Sequence, residues 1–186
     1  MLLMLTIWDV DDGSEDYGKF LDWIGNRIPL KGWKKFRGGL DVNENTTGKE
    51  SIFTIHAGFE IMFHVATLLP FYPADKQQLE RKRHLGNDVV VIIYKEGDQK
   101  FDPSCIHSEF NHVFIVIQRV PSSQEINGQP TYRMELGHKG DIPSPPLPLL
   151  PEANLFNLDE TFRRNLLTKS MLAPNLYFPL SSNTCI

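Results

Sequence analysis

Val89-Val90-Val91-Ile92-Ile93-Tyr94 is an unbroken apolar run. A strand with one wet face alternates apolar and polar residues, because successive side chains point to opposite sides of the sheet. A run without that alternation reads as a strand covered on both faces. Such a strand needs packing elements on two sides, and helical patterns precede and follow it in the sequence. The expected class is therefore α/β (α+β), a mixed β-sheet with helices packed on it. A chain of 186 residues is long enough to bury a core as one domain.

Tyr17, Phe20, Leu21, Ile24 and Ile28 recur at helical spacing behind Asp12 and Glu15, which predicts a capped helix from about Ser14 to Arg27 ended by Pro29. Lys31 to Gly39 reads as a basic, glycine-containing loop. Ser51–His56 and Phe59–Leu68 are β-rich and separated by Ala57-Gly58, a hairpin pattern. Asp75 is placed to cap a helix running to about His84, with Gly86 as its end. After the apolar strand come a Gly97-Asp98 turn, a short helix over Pro103–Glu109, and strands over Val113–Val120 and Thr131–Leu136. Five prolines between Pro143 and Pro151 exclude regular structure there. Asn157 with Glu160 predicts the start of a helix that buries Leu158, Phe162 and Leu166 and closes at Pro174, leaving Tyr177–Ile186 as a loose tail.

Immediately before the apolar strand stands Gln77-Gln78-Leu79-Glu80-Arg81-Lys82-Arg83-His84-Leu85-Gly86-Asn87-Asp88. Arg81, Lys82 and Arg83 form a cationic block in a chain of formal net charge -4. The Asn87 carboxamide cannot titrate, but it can both donate and accept a hydrogen bond. That is the chemistry needed to orient a water beside a charged phosphoryl group. This motif resembles the catalytic motif of the Rap/Ran-GAP domain family, the GTPase-activating proteins for Rap-type small GTPases. Phe36-Arg37-Gly38-Gly39-Leu40-Asp41-Val42, Thr47-Gly48, Glu60-Ile61-Met62-Phe63-His64-Val65, Leu69-Pro70, Phe110-Asn111-His112-Val113 and Leu166-Leu167-Thr168-Lys169 resemble further blocks of the family, in its order. The similarity spans roughly residues 15–172, which implies a catalytic domain there, an N-terminal extension over 1–14 and a tail over 173–186.

The resemblance implies that Asn87 acts as a thumb inserted into the active site of a partner GTPase, in the role that a glutamine fills in Ras. Phosphoryl transfer of this kind needs a positioned water and stabilised charge rather than covalent chemistry. Lys82, Arg83 and His84, with Arg81, would dock or orient the helix against an acidic GTPase surface. The chain would be no enzyme in its own right but an activator completing a site in trans, with GTP and Mg held by the partner and no cofactor of its own. A Rap-type GTPase in its GTP form is the favoured partner, ahead of Rheb or Ral, because the Gln77-Gln78-Leu79 lead-in is similar to Rap-directed members. The alternative is a non-catalytic GTPase-binding or scaffold module on the same fold. A targeting segment at Arg81-Lys82-Arg83 is a weaker third reading.

Bland readings stand beside these. Gly86-Asn87 is a common helix ending, with Asn tolerant of the left-handed region. Lys82 and Arg83 fit a solvated face near the negative end of the helix dipole. Arg37 could be offered as an arginine finger, but a structural place in the glycine loop is favoured. His64, inside an apolar strand, reads as a hydrogen-bonded core residue. His56, His107, His112 and His138 lack ligand spacing, so no metal is expected. Cys105 and Cys185 lie far apart, which fits a reducing compartment.

Gly38-Gly39 and Gly48 form no nucleotide-binding pattern, and a pI near 5.8 argues against nucleic acid. Met1–Ile7 is too short to span a bilayer and runs into acidic residues, so the expected location is cytoplasmic, with membrane recruitment through the GTPase. Pro145-Pro146-Leu147-Pro148 is read as an ordered family segment rather than a ligand for a polyproline-reading domain. The chain departs from the family in three places. Ile142-Pro143-Ser144 replaces a Phe-Gly before the prolines, no dimerisation region precedes the domain (a homodimer would belong to a longer form), and Pro174, Pro179 and a Ser-Ser-Asn-Thr tail stand where a further helix usually follows. An alternative terminus or a fragment, with apolar surface exposed, is the expectation at that end.

Overall fold

A computed structural model describes residues 2–8, 14–75, 78–97, 108–138 and 154–177. The elements are β1 (Leu2–Trp8), α1 (Glu15–Ile24), β2 (Asn26–Pro29), β3 (Glu50–His56), β4 (Phe59–Val65), α2 (Leu79–Gly86), β5 (Val90–Lys95), β6 (Val113–Arg119), β7 (Thr131–His138), β8 (Leu155–Asn157) and α3 (Glu160–Tyr177). The strands form one 8-stranded sheet in the order β2-β3-β4-β1-β5-β6-β7-β8. The centre is parallel: β1 pairs with β4 and with β5, and β5 with β6. The two flanks are antiparallel, which makes the sheet mixed as expected.

β5 organises the layers. Every one of its residues is buried. Val90, Ile92 and Tyr94 enter the main core with Tyr17, Phe20, Leu21 and Ile24 of α1 and Phe162, Leu166 and Leu167 of α3. Val91 and Ile93 point the other way, packing with Phe114 and with Leu85 of α2. The period-2 geometry of a strand thus puts α1 and α3 on one face of the sheet and α2 on the other. Each large apolar side chain buried in this way contributes about 1.5–3 kcal/mol, so the two-sided run is among the strongest local determinants of the fold.

Several boundaries differ from the sequence expectation. Residues 2–8, read as part of an extension, supply β1, paired on both edges in the middle of the sheet. Helix α1 ends at Ile24 rather than Arg27, and Ile28 lies on β2, packed in a second cluster with Leu30, Leu40, Phe53, Met62 and Leu69. The break comes at Gly25, where a Cβ would stand 2.7 Å from Ile52 Cγ2 and 2.9 Å from the Phe53 carbonyl oxygen. Only glycine lets the chain pass this close to β3. Pro29 ends β2 instead of ending the helix, and it is tolerated because β2 is an edge strand.

Helix α2 runs through Gly86, and α3 through Pro174 to Tyr177. Proline removes a donor and disfavours helix for the residue before it, but here it does not stop the helix. The capping residue of α3 is Asp159, whose Oδ1 accepts from Phe162 N at 2.7 Å. Asn157 closes β8 instead, its Nδ2 donating to the Pro130 carbonyl at 3.0 Å. The β3–β4 hairpin turns at Ala57-Gly58, both with positive φ, as expected. Strands β6 and β7 also fall where the sequence places them. Ser108 and Glu109 are not helical. The rest of the helix expected over Pro103–Glu109, Asp98 of the turn, the Pro143–Pro151 segment and most of the tail lie outside the described residues.

The Gly25 approach gives a direct test. Gly25→Ala forces a methyl against Ile52 and the Phe53 carbonyl, and is expected to cost about 1–3 kcal/mol. A urea midpoint within error of wild type would contradict this account of where α1 ends.

Candidate functional site

The site is built at the junction between α2 and β5. Its entry is fixed first: Asp75 Oδ2 accepts from Leu79 N at 2.8 Å. Gln78, at φ 49, donates its Nε2 to the carbonyls of Tyr72 and Asp75, each at 2.6 Å. Arg81 is half-buried rather than solvent-facing. Its Nη2 donates to the Leu69 carbonyl at 3.0 Å, and its guanidinium lies 5.3 Å from the Phe71 ring centroid. Lys82 and Arg83 are exposed on the helix. His84 is half-buried, its ring 5.6 Å from that of His64 in an edge-on contact.

The helix must then drop into a fully buried strand within three residues. Its last carbonyls have no partners in the helix itself, and side chains from the segment leading into β6 supply them. Ser108 Oγ donates to the Gly86 carbonyl at 2.6 Å. Buried Asn111 donates through Nδ2 to the carbonyls of Leu85, at 3.3 Å, and Asp88. His112 N and Val113 N both donate to the Val89 carbonyl.

From the other side, buried His64 on β4 donates Nε2–H to the Gly38 carbonyl at 2.8 Å, and its Nδ1 meets Asp88 Oδ2 at 2.9 Å. Since Gly38 can only accept, the proton in the Nδ1–Oδ2 contact is shared between imidazole and carboxyl. Burial opposes the imidazolium, yet the Asp88 carboxylate and the Gly38 carbonyl outweigh it, so the His64 pKa stands above its ordinary value. Burial pushes the Asp88 carboxyl up.

Asn87 is the residue this frame leaves outside. It is exposed, with φ -93 and ψ -5, so the left-handed ending that asparagine tolerates is not used here. Asp88 on one side is buried; the Asn87 carboxamide makes no hydrogen bond among the described residues. The junction thus presents an uncommitted amide to solvent on a backbone held from both flanks. A shallow cleft of about 490 Å³ lies at the other end of β5, lined by Ser14, Asp16, Tyr94, Glu96 and Arg119. Its cation is already engaged by Asp16 and Glu125.

The family model described as Rap/ran-GAP matches residues 7–183. The chain belongs to the Rap/ran-GAP family. It is 53% identical over 116 residues to RapA guanosine triphosphatase-activating protein 1 of Dictyostelium discoideum, covering 62% of this chain and 11% of that protein. It is 44% identical over 162 residues to GTPase-activating Rap/Ran-GAP domain-like protein 3 of Homo sapiens, covering 84% of this chain and 15% of that protein. The chain therefore spans less than a fifth of the length of these curated relatives. Among solved structures it is similar to the TSC2 GAP domain, with a TM-score of 0.73 and 25% identity over 94% of this chain and 97% of that one.

The structure brings Lys82, Arg83, His84 and Asn87 together on one short helix and its exit, and sets Arg81 apart as a structural anchor of the same Rap/ran-GAP helix. Arg37 is exposed, with its carbonyl accepting from Leu40 N within the glycine loop. The sequence reading assigned no role to Ser108, Asn111 or Asp88. Asn111 stood in one of the quoted blocks and Asp88 beside Asn87, so adjacency was the available signal. Among the described residues no group of three or more His, Cys, Asp or Glu could hold a metal ion, and no helix is long and apolar enough to cross a membrane.

The His64–Asp88 contact has a sign that can be checked. A raised His64 pKa means stability that is fully present below the unfolded value of about 6.5 and lost as pH rises through the folded value. The raised Asp88 carboxyl belongs to the same shared proton, held by the folded pair and released by the unfolded chain, and is counted once with His64. As pH rises above about 6 the wild-type unfolding free energy should fall more steeply than that of His64→Gln. Parallel profiles would remove the pair from the account.

Proposed function

We propose that this chain is a GTPase-activating domain for a small GTPase of the Rap type, and that Asn87 is the residue it inserts beside the γ-phosphate. The observation that carries the reading is the exposed, unpaired Asn87 carboxamide on a junction held by Ser108, Asn111 and the His64–Asp88 pair. An amide on a rigid support loses little freedom on docking, so its interactions are available to the transition state. It has no pKa in the working range, so it orients the attacking water without acting as acid or base. GTP and its Mg²⁺ stay with the GTPase, which does the chemistry; this chain completes its site in trans. Lys82, Arg83 and His84 hold the helix against the partner's acidic surface. The 53% identity to a RapA guanosine triphosphatase-activating protein supports the Rap choice. The domain works in the cytoplasm and reaches membranes with its GTPase.

Single-turnover hydrolysis by GTP-loaded Rap, Rheb and Ral tests this directly. Stimulation of Ras by its activator reaches roughly 10⁵-fold. Asn87→Ala is expected to lose on the order of 10²-fold or more of the stimulation while binding stays within about threefold. Absence of stimulation by folded wild type across the panel contradicts the proposal. Retained GTPase binding in that case would mark the chain as a binding module.

A further inference from the structure

The loop that leaves β2 carries Lys31, Lys34, Lys35 and Arg37, all exposed, with Phe36 38% exposed among them. No acidic residue occurs between Lys31 and Leu40. Several cations elsewhere are neutralised within the molecule: Lys19 by Glu15, Arg27 by Glu50, Arg119 by Asp16 and Glu125, and Arg163 by Glu160. Lys31, Lys34 and Arg37 have no such carboxylate among the described residues. In a chain of net charge -4, these three like charges, beside a Lys35 whose ammonium lies over the Phe53 ring, oppose one another and await an external anion.

The loop is also a built platform. Gly32 N donates to the Val42 carbonyl, Trp33 N to Leu30 and Leu40 N to Arg37, each between 2.9 and 3.0 Å. Phe36 N donates to Glu60 Oε2 at 2.8 Å. The Trp33 indole donates to the Phe36 carbonyl at 3.2 Å and packs edge-on against Phe53 at 4.9 Å. Gly38 and Gly39 adopt φ 59 and 82, turning the chain back beneath these contacts. The loop backbone therefore loses little further freedom at docking.

Its position decides what it meets. Trp33 and Leu85 of α2 pack on one and the same cluster. The Gly38 carbonyl binds His64, whose ring in turn touches His84 on α2. The loop and the helix bearing Lys82, Arg83 and Asn87 therefore form one cationic face on one side of the sheet. From this juxtaposition we infer that the Lys31–Arg37 loop is a second docking arm for the GTPase, engaging carboxylates on its surface beside the contact made by α2. The inference rests on the GTPase-activating reading above. A lipid surface is the less suited occupant, because Phe36 is the single large apolar side chain the loop exposes and Trp33 is committed to internal contacts.

The test compares wild type, Lys34→Glu/Arg37→Glu, the conservative Lys34→Arg/Arg37→Lys, and Asn87→Ala, all confirmed folded. The readouts are single-turnover GTP hydrolysis as a function of activator concentration, at low and high salt, and direct binding to GTP-loaded GTPases. Charge reversal is expected to raise the half-saturating concentration about tenfold at low salt, with less effect at high salt, leaving the plateau rate unchanged. The conservative pair should restore wild-type behaviour, whereas Asn87→Ala should lose the plateau.

An unchanged half-saturating concentration in the reversed variant overturns the docking arm and leaves the thumb reading intact. If wild type binds a GTPase without stimulating it, binding weakened by the reversed variant supports the arm while the thumb reading fails. Wild type that binds no GTPase, or that pellets with phosphatidylserine vesicles through Lys34 and Arg37 alone, overturns it.

Discussion

Burial of β5 on both faces is the constraint from which the rest of the structure follows. A strand that cannot touch water requires α1 and α3 on one side and α2 on the other. It also obliges the chain to pass from an exposed helix to a buried strand across Asn87, Asp88 and Val89. Backbone groups in such a passage need partners, because an unpaired buried carbonyl or amide costs about as much as a lost hydrogen bond. Ser108, Asn111 and His112 meet that need from the β6 side, and His64 holds Asp88 from β4. What remains outward is one neutral amide. The site is thus a by-product of a packing problem, with each buried neighbour narrowing where Asn87 can point.

The parts of this arrangement that were legible in the sequence are those written in local pattern. The unalternated run of β5, the Ala57-Gly58 hairpin, strands β6 and β7 and the hydrogen-bonded core role of His64 needed only periodicity and turn chemistry. The motif around Asn87 was legible through family resemblance, since Gly-Asn by itself reads as a helix ending. The illegible parts depend on residues distant in sequence. β1 is a short apolar run followed by acidic residues, and only its pairing with strands some sixty and ninety positions away makes it central. Gly25 ends α1 because β3 passes within a Cβ of it, so Ile28, in phase with the helix, belongs to the opposite face. Asn157 looked like the better cap until its amide was taken by the β7 lead-in, which left Asp159 to the helix. Arg81 was read with the docking cations, and no local pattern foretold that its Nη2 donates to the Leu69 carbonyl.

Charge completes the division between the two faces. On the α1 and α3 face Lys19, Arg119 and Arg163 are held in ion pairs, whose exposed members contribute little to stability. The α2 face carries Lys82, Arg83 and the basic loop beside the exposed, uncharged Asn87 carboxamide. On the proposed function such an arrangement separates tasks: long-range attraction and orientation would fall to the cations, while the reacting centre would receive a group whose protonation never changes.

The central claim is that the Asn87 carboxamide completes the partner's site only as the phosphoryl group is transferred. A complex that mimics that moment is the most direct probe: the GTPase loaded with GDP and aluminium fluoride, titrated with wild type and with Asn87→Ala and followed by calorimetry. The account predicts that wild type binds this form far more tightly than it binds the GDP form, and that Asn87→Ala loses the difference while keeping its affinity for the GTPase loaded with a non-hydrolysable GTP analogue. Equal affinity of wild type and Asn87→Ala for the aluminium fluoride form would contradict it.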